Sequence, residues 1–277
     1  MQLTEPSQRY VSKELSHFVG RGHPERTQYE LLVKILRSGL LTYSPDKPNE
    51  TYGEILIHPD AKISENELYY PGMVCFCDIP VQDLAIHMRK YSPFGLAFSK
   101  DLVIRKGGTP VYYLPREAKV RTPKRLSPER MSQIAEKNLR LGRASIEREE
   151  EDWEITTKAE YFDKMLQTYN KVVSLFAGLI NQTSAVRDVE ENLRHHYDLT
   201  DFRLFLDFHV FSYLKFFDHA LLDHHPDNYY FEREWRIVGS LPFDMDDIVR
   251  VFITKEYAKQ FRKDCPDYYG QITFVDI

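Results

Sequence analysis

The sequence predicts an α+β protein whose β-rich core is split by a long, mainly helical insertion. Three observations carry this reading. Short strand-like runs punctuated by Gly and Pro fill residues 1–126, helix-period runs with few breakers fill 127–228, and strand texture returns over 229–277. With 17 Phe, 18 Tyr and 42% hydrophobic residues, a chain of 277 residues has the apolar mass for a large core carrying an insertion.

Taken in order, Ser16-His17-Phe18-Val19 is a brief strand that Gly20 and Gly22 break. Pro24 suits the first turn of a helix through Arg37, with Leu31, Leu32, Ile35 and Leu36 on one face and Gly39 as its stop. Tyr43 to Glu67 holds Pro45, Pro48 and Pro59 and reads mostly as loop around a strand at Ile55–Ile57. Met73–Cys77 is a buried strand. Asp78 and Pro80 then start a helix to about Tyr91, on which Leu84, His87, Met88 and Tyr91 share a face. Phe94–Phe98 is a strand with large side chains on one face and small ones on the other; a glycine such as Gly95 there marks close approach of a backbone or ligand. Lys106–Thr109 is a turn into a strand at Pro110–Leu114. In the middle, Met131–Arg148, Tyr161–Ile180 and Leu204–Leu222 read as helices, and Glu147–Asp152 as a solvated helix face or a junction. Strands return at Phe231–Gly239, Ile248–Thr254 and Ile272–Ile277, with a helix near Lys255–Lys263.

Composition narrows the function classes. No run approaches the roughly 18–20 apolar residues of a membrane span, and Met1–Pro6 lacks the zones of a signal peptide. Cys75, Cys77 and Cys265 show no disulfide rhythm, which suits a reducing compartment, so a cytoplasmic protein is expected. A net charge of −5 argues against a surface dedicated to duplex nucleic acid, where affinity comes from phosphate neutralisation. Lys119, Arg121, Lys124 and Arg125 leave a local basic cleft open, the alternative being a solvated loop.

Three separated blocks carry a resemblance. They are Ser16-His17-Phe18; then Cys75-Phe76-Cys77-Asp78-Ile79-Pro80 with Tyr91-Ser92-Pro93-Phe94-Gly95-Leu96-Ala97-Phe98; and Glu232-Arg233-Glu234-Trp235-Arg236-Ile237-Val238. Their order and wording resemble the AbiGi-type abortive-infection proteins of bacteria, a phage-resistance family described as antitoxin. More distantly, the block order resembles the ADP-ribosyltransferase fold, DarT-like DNA-modifying members included. That fold divides its NAD-binding residues over three strands as a His or Arg, a Tyr or Ser, and a Glu. The resemblance implies a split β-sheet core, NAD as substrate and no metal. It also implies a toxin or antitoxin partner, with a nucleic acid or protein as acceptor.

On this likeness Glu234 is the candidate catalytic residue, and His17, Arg21, Tyr91 and Glu232 are the candidate NAD-binding residues. Nicotinamide leaves a ribose that becomes oxocarbenium-like, so a fixed carboxylate facing the developing cation supplies the main electrostatic stabilisation. Strand alternation places Glu232, Glu234, Arg236 and Val238 on one face, and the two carboxylates resemble the Glu-x-Glu of arginine-modifying transferases. The alternative is a strand whose polar face pairs Glu234 with Arg236. His17 would bond a ribose hydroxyl or the diphosphate, or serve as a structural hydrogen-bonder. Arg21, between two glycines, would be a counter-charge for phosphate. Tyr91 would stack on nicotinamide, or lie in the core beside Leu84 and Met88. Arg116 and Lys106 are further anion contacts that the sequence does not rank.

Other constellations point to bland roles. Asp207-x-His209, Asp218-His219 and Asp223-His224-His225 crowd metal-ligand types together, but no tight His-x3-His spacing occurs and a solvated helix end fits better. Cys75-x-Cys77 lacks a second ligand pair and reads as two small buried residues. Three functions therefore compete: an NAD-consuming or ADP-ribosylating defence enzyme, a non-catalytic antitoxin that binds a toxin, and a nucleic-acid module using Lys119–Arg125. Convergence of His17, Glu234 and an aromatic on one cleft discriminates the first from the others.

Overall fold

The computed structural model describes residues 12–43, 54–58, 60–141, 148–183, 189–222, 225 and 227–275. Expectations that fall on Met1–Pro6, Pro45, Pro48, Pro59, Glu147, Asp223, His224 and the final Asp276-Ile277 lie outside the described residues.

β1 (Glu14–Phe18) leads through a glycine turn to α1 (Glu25–Ser38), then β2 (Leu40–Leu41), β3 (Ile55–Ile57), β4 (Tyr69–Pro71) and β5 (Met73–Cys77). Next come α2 (Ala85–Lys90), β6 (Gly95–Ser99), α3 (Lys100–Arg105), β7 (Thr109–Pro110), β8 (Tyr112–Pro115) and β9 (Lys119–Pro123). The middle holds α4 (Pro128–Arg140), β10 (Trp153–Thr157), α5 (Lys158–Thr183), α6 (Val189–His209) and β11 (Leu214–Phe217). β12 (Glu234–Val238), β13 (Leu241–Pro242), β14 (Ile248–Ile253), α7 (Ala258–Asp264) and β15 (Gln271–Phe274) follow.

Seven strands form the main sheet in the order β15-β14-β6-β1-β5-β12-β7, antiparallel except for β14 beside β15. The sheet parts in its middle. β1 meets β6, and β5 meets β12, at five paired positions each, but β1 and β5 share only Ser16 with Cys77. Antiparallel register would next align His17 with Phe76 and Phe18 with Cys75. Instead, the His17 imidazole Nδ1 lies 2.7 Å from the Cys75 carbonyl.

Strand alternation divides the core. On one face, Leu15, Phe76, Phe98 and Val251 pack against Leu32 and Leu36 of α1, Val103 of α3 and Phe261 of α7. On the other, Phe18, Cys77, Ala97 and Phe252 meet Leu84 and Met88. Each Val, Leu, Phe or Met among them that is buried in full contributes about 1.5–3 kcal/mol. Gly95 is needed where β6 presses on β1, since a Cβ there would lie 2.6 Å from the His17 carbonyl oxygen. Gly39, at φ 61°, ends α1 in the left-handed region and donates its N–H to Ile35.

Several expectations need correction. Leu204–Leu222 is not one helix: α6 stops at His209, and Leu214-Lys215-Phe216-Phe217 becomes β11, parallel to β8. Alternation buries Phe216 against Leu114 and Leu166 and turns Lys215 the other way. The 127–228 stretch is thus helical for the most part but carries β10 and β11, paired to β9 and β8 of the first part. Of the basic cluster, Lys119 and Arg121 lie on β9, while Lys124 and Arg125 follow it in an exposed loop. Arg121 pairs with Glu150 and lies over the Trp153 ring, while Lys124 donates to the Glu151 carbonyl, so the acidic stretch offsets the basic one. The Asp78–Tyr91 helix shortens to a 3-10 turn at Val81–Asp83 and α2. Glu232 is not on the strand. It ends a 3-10 turn, and Arg233 at φ 44° reverses the chain before β12 begins at Glu234.

Candidate functional site

The end of the sheet where β1 and β5 part is one wall of a cavity of about 780 Å³, within the roughly 300–1,000 Å³ of ligand pockets. All five side chains singled out from the sequence line it: His17, Arg21, Tyr91, Glu232 and Glu234. Lys215 of β11 and Arg116, just after β8, close the side built by the insertion and its partner strand.

Glu234 stands at the first position of β12 and is 5% exposed. Its N–H donates to the Tyr113 hydroxyl at 2.9 Å, and that hydroxyl donates to the Tyr229 carbonyl at 3.1 Å, so one half-buried tyrosine fixes the carboxylate's backbone. Arg236 Nε donates to Oε1 at 2.7 Å, and Lys215 Nζ donates to Oε2. Arg236 is itself tied to the Ser212 carbonyl. Burial alone would raise the Glu234 pKa, but Arg236 and Lys215 outweigh it and hold the carboxyl down at about 2. Glu234 is therefore ionised. Cys75, on the neighbouring strand, stays a thiol: burial and the Glu234 charge push it up, which removes it as a nucleophile.

Glu232 makes a second, separate cluster. Lys90 Nζ donates to it at 2.7 Å, and the Tyr91 hydroxyl donates at 3.1 and 3.2 Å to its two oxygens. Burial and then the Glu232 charge raise the Tyr91 pKa, so the phenol keeps its proton and stays a donor. The Tyr91 ring stacks on His87 at 4.4 Å and carries the Arg21 guanidinium at 5.0 Å. Lys90 and Lys215 lie 4.0 and 4.1 Å from the Tyr229 ring, which links the two clusters.

Of the three histidines that line the cavity, His17 and His87 are neutral at pH 7. Burial lowers His17, only partly offset by its bond to Cys75, and burial with the Lys90 charge lowers His87 to about 3. A carbonyl only accepts, so the His17 proton sits on Nδ1 and Nε2 is left as an acceptor. The ligand group that suits Nε2 is a donor such as a hydroxyl. His87 Nδ1 is buried with no partner among the described residues.

Lys90, Tyr113 and Lys215 escaped the sequence reading. Lys215 had a signal, the alternation of Leu214-Lys215-Phe216-Phe217, that the aromatic helix before it obscured. Lys106 is not a lining residue, whereas Arg116 is. Among the described residues no three His, Cys, Asp or Glu side chains are grouped to hold a metal ion, and no helix is long and apolar enough to cross a membrane.

The fold and cavity define a mixed α/β protein with a parted sheet and a polar, ligand-sized pocket built around two ion-paired glutamates. A family model described as "Putative abortive phage resistance protein AbiGi, antitoxin" matches residues 63–269, and the chain belongs to this AbiGi family. Tyr91, Glu232 and Glu234 fall inside the match, and His17 and Arg21 precede it. No curated protein and no solved structure matches the chain, so no structural neighbour supports the likeness to the ADP-ribosyltransferase fold or its DarT-like members.

Proposed function

We propose that this AbiGi-family chain acts in phage defence as an enzyme that cleaves the nicotinamide–ribose bond of NAD. Nicotinamide leaves with the bonding electron pair, and the ribose cation is taken by water or by an acceptor that then loses a proton. The single observation that carries the reading is the convergence of His17, Tyr91 and Glu234 on one cavity from three distant parts of the chain. Glu234 supplies an ionised carboxylate for the developing cation. His17 Nε2 accepts from a ribose hydroxyl, and Arg21 meets phosphate. Tyr91 holds Glu232 through its hydroxyl; its ring is free to stack on nicotinamide only where Arg21 and His87 do not cover it. The test is incubation of the purified chain with NAD, followed by chromatography for nicotinamide, with and without DNA, RNA and protein acceptors. No nicotinamide release and no modified acceptor, even in extracts of phage-infected cells, would refute the reading.

A second reading, a non-catalytic antitoxin, follows from the family's description and from the exposed Phe202, Leu204 and Phe205 of α6. A toxin partner would cover these side chains. Under this reading Glu234→Gln leaves partner binding unchanged, and changing Phe205 to Asp abolishes it.

A further inference from the structure

The cations around the cavity differ in how they are satisfied. Lys90 is paired with Glu232, and Lys215 and Arg236 are both paired with Glu234. Arg116 is not: among the described residues no carboxylate lies within ion-pair distance of its guanidinium, and its Nε is buried with no hydrogen-bond partner. A buried charged N–H left unmade is costly, more so than a neutral one. The backbone that carries it is rigid. Arg116 N–H donates to the Phe217 carbonyl at 3.0 Å, and its own carbonyl accepts from Ala159 at 3.3 Å, so β8, β11 and α5 fix the root of the side chain. Guanidinium presents a planar fork of donors that fits two phosphate oxygens at once.

We propose that Arg116 is the anion-recognising residue of this cavity, and that the ligand class is a nucleotide bearing a diphosphate. The inference rests on the NAD reading for the nucleotide and on Arg116 alone for the anion. Electrostatics restrict the ligand further. The lining also carries acidic groups without an ion-pair partner among the described residues, such as Glu67, Asp218 and Asp227, so the cavity does not draw polyanions from a distance. An anion is held there by direct contact with Arg116, and Arg21, which lies over the Tyr91 ring and has no ion-pair partner among the described residues, is the second guanidinium lining the cavity.

The test is calorimetric titration of the whole chain with ADP-ribose and with adenosine, for the wild type, Arg116→Gln and Arg116→Lys, alongside thermal melting with and without ADP-ribose. The wild type should bind ADP-ribose and be stabilised by it. Arg116→Gln should lose about ten- to a hundred-fold in affinity for ADP-ribose and none for adenosine. Arg116→Lys should recover only part of that loss. Without ligand, Arg116→Gln should melt no lower than the wild type, because it removes an unsatisfied charge; a merely structural arginine would lower the melting point. Equal binding of ADP-ribose by Arg116→Gln, or no binding by the wild type, overturns the proposal. If ADP-ribose binds through Arg116 but NAD is not cleaved, the enzyme reading falls and this one stands. If NAD is cleaved with KM unchanged by Arg116→Gln, the reverse holds.

Discussion

Replacing Glu234 with Gln tests whether the carboxylate is ionised and clamped, and the cost can be worked out from its surroundings. The side chain of Glu234 is 7% exposed, and those of Lys215 and Arg236 are 12% exposed each. Removing the shared carboxylate leaves two nearly buried cations without their partner, a change that typically costs about 3–5 kcal/mol. Proton linkage offers an independent check. A carboxyl held at about 2 in the folded chain, against 4.5 when free, contributes about 3 kcal/mol; that stability is present above pH 4.5 and is lost as pH falls through 2. The two routes agree. For 277 residues the unfolding entropy is about 0.6 kcal/mol per kelvin, so Glu234→Gln should lower Tm by about 5–9 °C. Scanning calorimetry at pH 7 reads this directly, and nicotinamide release, measured well below the mutant's Tm, should fall about 100–1,000-fold. A Tm within 2 °C of wild type would refute the clamped, ionised carboxylate.

Three further outcomes are expected. His87 is held at about 3 when folded, so below pH 6.5 the unfolded chain binds a proton that the folded chain does not; stability should fall with pH, by about 2 kcal/mol at pH 5. Urea midpoints between pH 8 and 5 measure this, and His87→Phe should flatten the slope, although His17 adds a component of the same sign. Gly95→Ala forces a Cβ against the His17 carbonyl and should cost about 1–3 kcal/mol by chemical denaturation; a neutral result would mean that β1 and β6 are farther apart. Lys215→Met should leave Glu234 paired with Arg236 and bare Oε2, so nicotinamide release should not fall; a loss as large as that of Glu234→Gln would mean that Lys215 acts in the reaction itself.

Elements set by local pattern were legible in the sequence. α1 could be read from its apolar stripe and Gly39, β5 and β14 from short apolar runs, and β6 from its alternation of large and small residues around Gly95. What could not be read depends on contacts far along the chain. β11 is four residues long and follows a helix of similar composition, and it is a strand because β8 lies beside it. Glu232 leaves the strand because Arg233 takes a left-handed backbone conformation that a non-glycine residue rarely announces. Of the site, His17 and Glu234 could be named as residue types in order, and Arg236 as a partner of Glu234 on the same strand face, but the second cation that holds Glu234 ionised, Lys215, lies on an element read as helix. Tyr113 carried no signal, since its hydroxyl matters only once β8, β12 and the Tyr229 turn have met.

The clamp on Glu234 bears on any chemistry asked of it. A carboxylate held by cations on both oxygens is ionised at every physiological pH, yet the same cations cancel much of the field it could present to a positively charged ribose. One of them has to yield, and they are not equivalent. Arg236 sits two residues along the same strand and is tied to the Ser212 carbonyl, so losing Glu234 would leave a nearly buried guanidinium half satisfied. Lys215 reaches in from β11 on a flexible stem and already lies 4.1 Å from the Tyr229 ring. An ammonium there keeps a cation–π contact worth about 0.5–2 kcal/mol when it leaves the carboxylate. Withdrawal of Lys215 therefore costs least, and it bares Oε2 while Arg236 keeps the side chain in place. Catalysis by Glu234 would then depend on how the insertion holds β11, and the helical middle of the chain would govern the carboxylate although it contributes none of the five residues first singled out.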